Sequence, residues 1–374
     1  MLDPVIQFFA RLFAAIGRGL GMLVAALIWP FAAGARWWRR RGGIVKIVVG
    51  AIVALFVFAN LYFMWQTQVW RGFDPDYADA YDARPTTVSA GEAVAPEAGT
   101  ASSQTCAPSR IVQATEELIR FNVDDNAWIP SMLFYKLGFF GIDWARTPFF
   151  DNKASFQLGV HTAIQRTAVE LTDTLGRVRG TSEIDPDLRD ARGALQFDEA
   201  TWYFGLEPFG PKTPTPSFYR TGADKLALFN QRLEACDATF DARADNLINL
   251  LDRIAKDIGS RSEAIRRRAE ATNLGWFDTL GDNEFWVTMG QLYGYYGVLK
   301  AAEADFADVI NTRGLRPLWD RMEEQTRAAL ALGPLIISNG DEDGFVMPTH
   351  LTTLGFYVLR VRANLVEIRS VLDR

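Results

Sequence analysis

Two groups of side chains have the types and spacing that chemistry requires. Asp278, Asp282 and Glu284 stand among Trp276, Phe277, Phe285 and Trp286. Carboxyl groups beside aromatic rings suit a glycan hydrolase, in which one acid protonates the leaving oxygen and a second carboxylate attacks or activates water. The same residues also describe a helix start capped by Asp282 with its apolar staple. Catalysis on Asp282 and Glu284 is therefore one of two readings. In Asn339-Gly-Asp341-Glu-Asp343-Gly344, oxygen side chains alternate and glycine follows, like the opening of a calcium loop. That nominates Asn339, Asp341 and Asp343 as metal ligands. However, the twelfth position is His350 rather than a bidentate Glu, and Pro348 stiffens the exit. An acidic turn before a helix is the simpler reading, and no metal or cofactor is expected. The two histidines, His161 and His350, are isolated, and there is no zinc-spaced Cys/His set, phosphate loop or G-x-S-x-G elbow.

Cys106 and Cys236 are the two cysteines. They form either a bridge, in an oxidising compartment, or one free thiol and one small buried hydrophobe. The stretch from Phe121 to Phe156 is dense in rings, including Trp128, Phe139, Phe140 and Trp144, and is broken by Gly138, Gly141 and Pro148. It reads as a folded lid over the end of a bundle or as a platform facing lipid or a partner. Tyr293, Tyr295 and Tyr296 are interleaved with Gly290, Gly294 and Gly297. Those glycines lower helix propensity, which close helix approach accounts for better than a ring-stacking ligand face.

The elements that must position these residues begin with an anchor. Ile47 to Met64 contains no charge, and residues 44–65 are long enough to cross ~30 Å of hydrocarbon. Residues 1–70 carry net +6, chiefly Arg36, Arg39, Arg40, Arg41 and Lys46 ahead of the span, which leaves −12 for residues 71–374. Positive charge favours the cytoplasmic side. Residues 1–43 are thus expected inside as an interfacial amphipathic segment, with 19–35 as an alternative short crossing, and the remainder outside. A body this acidic is a poor match for nucleic acid. Residues 66–109, acidic and then rich in Pro, Ala, Ser and Thr, read as a flexible linker.

From residue 110 to 374 the spacing is helical. Leu351, Leu354, Val358, Val361, Leu365, Ile368 and Leu372 make one continuous seam. Leu226 to Ile258 make another, with a stutter at Phe240–Ala244, predicting one helix over 223–258. Further helices are predicted over 152–177, from Asp185-Pro186 to about Leu195, over 261–273, from Asp282 to Ile310, and over 315–332. The expected class is all-α: an N-terminal transmembrane helix followed by an elongated helical bundle.

Asn126-Ala-Trp128-Ile-Pro130, then Phe150-Asp151-Asn152 leading to Phe156-Gln157-Leu158-Gly159, then Leu175-Gly176-Arg177-Val-Arg179-Gly180-Thr-Ser182 with Asp185 and Asp187-Leu188, resemble an uncharacterised family of bacterial inner-membrane proteins, domain of unknown function 2333. The resemblance implies a bacterial envelope setting over most of residues 40–374 and carries no activity. The combined expectation is an inner-membrane protein whose periplasmic helical domain is a structural or interaction module. Its partners would be the bilayer and an envelope protein or a second copy. A membrane-anchored enzyme acting on cell-wall glycan or lipid is the alternative.

Overall fold

The computed structural model describes residues 22, 25, 28–30, 32–81, 88–94, 105–138, 142–177, 183–272, 274–341 and 347–374. It divides into two units, Met1–Tyr62 and Phe63–Arg374. Of the alternative crossing at 19–35, residues 19–21, 23, 24, 26, 27 and 31 lie outside the described residues. Residues 32–39 are helical, and helix α1 (Gly43–Gln68) follows. Its most apolar window has a mean hydropathy of 2.5, with none of the window buried. It is long and apolar enough to cross a membrane.

The second unit is all-α, as its periodicity predicts. Helices α2 (Arg110–Arg120), α3 (Leu133–Leu137), α4 (Asn152–Glu170), α5 (Pro186–Leu195), α6 (Thr215–Glu234), α7 (Ala244–Ala271), α8 (Gly281–Asp305), α9 (Ala307–Thr312), α10 (Arg316–Leu330) and α11 (His350–Leu372) follow, all packing on one core except α3, which borders a smaller cluster around Phe63. Two short antiparallel hairpins, β1 (Ala93–Val94) with β2 (Thr105–Cys106) and β3 (Phe204–Leu206) with β4 (Phe209–Pro211), are the strands among the described residues. The Asp185 side chain accepts from the Asp187 and Leu188 amides and starts α5, as Asp-Pro predicts. All seven seam residues of α11 are buried.

Helix α8 runs through the middle, and every residue from Thr288 to Asp305 is buried. A helix enclosed on all sides needs no polar face. Its tyrosines are satisfied internally: Tyr295 donates to Asp257 (2.6 Å), and the Tyr296 hydroxyl meets the Arg327 guanidinium (2.6 Å).

The single helix expected over 223–258 is two helices. Cys236 takes a left-handed φ of 59°, while the Asp237 amide bonds back to Arg232 O and the Cys236 amide to Leu233 O. That pair of bonds closes a helix C-terminus, usually with glycine at the left-handed position. A cysteine there hid the stop, and the seam's stutter was its trace. Conversely, the separate helix expected from Arg261 does not exist, because α7 runs straight through Gly259. A Cβ there would press on the Arg362 side chain of α11, so this glycine serves packing rather than termination.

Part of the expected linker is also folded. Trp70, Phe73, Tyr77 and Tyr81 turn inward while Asp74, Asp76 and Asp79 face outward. The Tyr77 ring stacks on Tyr293 at 4.2 Å, and its hydroxyl donates to Tyr293 O and accepts from the Gly297 amide. The aromatic spacing within this acidic run supplies enough apolar surface to offset the ordering entropy. Residues 82–87 and 95–104 of that linker lie outside the described residues. Cys106 and Cys236 are disulfide-bonded, with Cα atoms 5.3 Å apart.

Candidate functional site

Helices α4 and α8 run side by side in the same direction. Phe156 meets Gly290, Gly159 meets Val287 and Gln291, and Ala163 meets Gly294. With glycine at each crossing the backbones approach more closely than side chains permit. Parallel packing then brings both N-termini together, and each delivers a buried aspartate, Asp151 and Asp282.

Asp151 is fully buried, and neither carboxyl oxygen receives a hydrogen bond of full geometry, its own amide and the Asn283 side chain giving only weak support. Burial, then the neighbouring Asp282, push it up to about 8. Burial raises Asp282 to about 7, against the opposing pull of its own amide and that of Asn283. The Asn152 amide, oriented to donate to Asp282 Oδ2 (3.3 Å), accepts from Trp286 Nε1 (3.2 Å). Asn283 donates to Ala145 O (2.9 Å). At neutral pH this pair therefore retains a proton that an ordinary aspartate pair would have released.

Beside it, the last turn of α1 enters the domain. Phe63 is buried against Trp144 (5.2 Å) and Phe134 (6.1 Å), with Ile129 and Ala154 completing the cluster. Lys153, also buried, donates from Nζ to Gln66 O (3.1 Å) and Val69 O (2.6 Å). An ammonium there meets two backbone carbonyls at the negative end of the α1 dipole. Burial, then Arg71, lower its pKa to about 8. Phe63 and the residues after it in α1 thus sit in a socket of rings bolted by one buried cation, two residues from Asp151.

The aromatic stretch divides between that socket, which takes Trp144, and the main core, which takes Trp128. Trp128 and Trp144 are buried, their indoles donating to Glu199 O and Phe134 O (both 2.8 Å), and Tyr293 and Tyr295 are buried in α8. These four therefore belong to the folded lid and core, not to an exposed platform. Phe139 and Phe140 fall outside the described residues. Asp282 lies near enough to Asp151 to raise its carboxyl, whereas Glu284 faces Arg261 at 3.5 Å. A sealed carboxyl and an ion-paired one at a single helix start do not flank a sugar. Nor does Asp282 cap the helix, since α8 starts without a side-chain cap bond.

Asn339 is buried, its amide donating to Asp278 Oδ2 (2.7 Å) and Thr272 O (3.1 Å). Burial pushes Asp278 up, but its ion pair with Arg268 and the Asn339 bond outweigh this and hold it below the usual carboxylate range. Asn339 thus ties the end of α7 to the turn before α8. Asp341 is exposed, and Asp343 lies outside the described residues. His161 stacks on Tyr219 at 4.0 Å with Nε2 3.1 Å from Leu195 O, and burial drives it down to about 3. Asp151 escaped sequence reasoning because its partner is on a distant helix. The available signal was its place at a helix start within Phe150-Asp151-Asn152.

The pair gives a pH prediction. A carboxyl raised above its unfolded value supports the fold fully below about pH 4, and that support fades as pH rises through its folded value. Asp151→Asn should therefore gain stability relative to the native chain between pH 5 and 8 and level off above. Thermal unfolding of both proteins across that range checks it, and a gap independent of pH removes the proton from the site.

No curated protein and no solved structure matches the chain. One family model does, over residues 42–279 and 263–374, and so takes in α1, the socket, the aspartate pair and the C-terminal seam. With most of its length covered, the chain belongs to the family of uncharacterised proteins conserved in bacteria, DUF2333.

Proposed function

We propose that this protein is anchored in the bacterial inner membrane by α1, with residues 1–43 on the cytoplasmic side and the helical domain in the periplasm as a structural or interaction module. The observation that carries this is the helix Gly43–Gln68, apolar on every face and unburied along its most apolar window. In water such a surface is strongly unfavourable, whereas in lipid it is required. The basic block from Arg36 to Lys46 and the acidic body favour the stated orientation. A bond between Cys106 and Cys236 suits an oxidising compartment. The socket supports a transmitting or holding role: Phe63 and Lys153 fix the end of α1 to a core that contains α4 and α8. The sealed state of Asp282 favours this reading over wall hydrolysis. The partner is an envelope protein or a second copy of the chain.

The test is topological. Alkaline phosphatase fused after Arg374 is expected to be active, and a cytoplasm-dependent fluorescent protein fused there to stay dark. In the same cells, Cys106 and Cys236 should resist alkylation until reduced. The opposite fluorescence pattern with both thiols free would invert the orientation.

A further inference from the structure

Resting on the anchor reading of α1, we infer that the end of the helical domain around Phe63 is itself a lipid-contacting surface, seated in the headgroup layer of the membrane that α1 crosses. Four loops from separate parts of the chain are tied to this end, one directly and three through segments that border it. Gln68 Nε2 donates to Phe149 O (2.9 Å), placing the exposed Phe149 ring beside the end of α1. Asn283 holds Ala145 O, which brings the turn before α8 to the same place, with Phe277 75% exposed. The bridge between Gly275 and Asn339 adds the segment before Asn339, where Leu335 is 92% exposed. Finally Trp128, next to the socket residue Ile129, bonds Glu199 O at the base of the β3–β4 hairpin. That hairpin carries Leu206 at 82% exposure and Phe209 at 78%.

A two-stranded hairpin with no core under it gains nothing in water by presenting Leu206 and Phe209 at its tip. Large exposed apolar side chains grouped at one end mark an interaction surface. Here the surface borders the point, Phe63, where the chain leaves a span whose apolar residues call for lipid, which names the occupant. A chain leaving the bilayer at Phe63 brings this end to the interface, where rings and aliphatic side chains partition favourably. Glu207 sits between Leu206 and Phe209, and Lys212 Nζ donates to its carbonyl (2.8 Å). A carboxylate at the tip limits the depth to the headgroup region.

The test uses the full chain in phosphatidylethanolamine–phosphatidylglycerol vesicles. A photoreactive benzophenone amino acid replaces Phe209 or, separately, Phe277, with Val57 inside α1 and Val366 as references. Val366 is exposed but lies sixteen residues into α11, about 24 Å from its start at ~1.5 Å per residue. Irradiation should yield lipid adducts at 209 and 277 at least about five-fold above those at 366, as interfacial seating requires. Adducts at 57 with none above background at 209 and 277 would overturn the inference and leave the anchor standing. Adducts at none of the sites would remove the anchor and the inference with it. Crosslinks from 209 and 277 to protein in place of lipid would also overturn it.

Discussion

Asp305→Ala is expected to destabilise the helical domain by about 3 kcal/mol or more, the loss anticipated when several buried donors lose one acceptor. Asp305 is buried at the end of α8 and accepts from Ser109 Oγ (2.6 Å), the Arg110 amide (2.7 Å) and the Ile111 amide (2.9 Å). It thereby caps the N-terminus of α2 from another helix, while Ser109 Oγ accepts from the Val112 amide (3.2 Å). Burial raises its carboxyl to about 6, and those three bonds hold it lower than burial alone would. Alanine leaves two amides and a hydroxyl without a partner in a site water does not reach. Asp305→Asn retains an acceptor oxygen and should lie between the two. Denaturant unfolding of the three proteins in detergent measures this. A loss below about 1 kcal/mol for alanine would mean that the donors find other acceptors.

Gly290→Ala should cost about 3 kcal/mol, at the upper end of what overpacking a tight core does. Its Cβ would fall inside the van der Waals radius of Phe156 O, and at Gly159 the obstacle is Val287 O. Both obstacles are backbone, so no rotamer change relieves them and the helices must separate. Separation would also disturb the joined N-termini that hold Asp151 and Asp282. The Gly159→Ala/Gly290→Ala double variant should lose less than the sum of the singles, since one displacement makes room for the second methyl. Gly193→Ala is the control. Nothing lies within 4 Å of its Cβ position in α5, and helix propensity there favours alanine by about 0.5–1 kcal/mol. A Gly290→Ala protein as stable as the native one would show that the crossing is looser than its geometry.

The sequence was most legible where one segment's environment is uniform. The α11 seam declares a helix with one wet face, and the uncharged run from Ile47 declares a helix that wants none. Asp185-Pro186 marks a start through its own side chain. Legibility failed where a residue's neighbours come from elsewhere. Cys236 ends α6 in a conformation usually reserved for glycine. The rings of Trp70, Phe73 and Tyr77 fold an acidic run that composition assigns to a linker, because Phe156 and Tyr293 wait for them.

The same divide separates fold from site. An uncharged anchor, an acidic helical body and the positions of its seams follow from periodicity and charge, which are local and additive along the chain. The meeting of Asp151 with Asp282, the Lys153 bolt on the end of α1 and the sealing of Trp128 and Trp144 were decided by tertiary packing. Each depends on desolvation by elements distant in the sequence. Desolvation belongs to a place in three dimensions, and no window of sequence contains it.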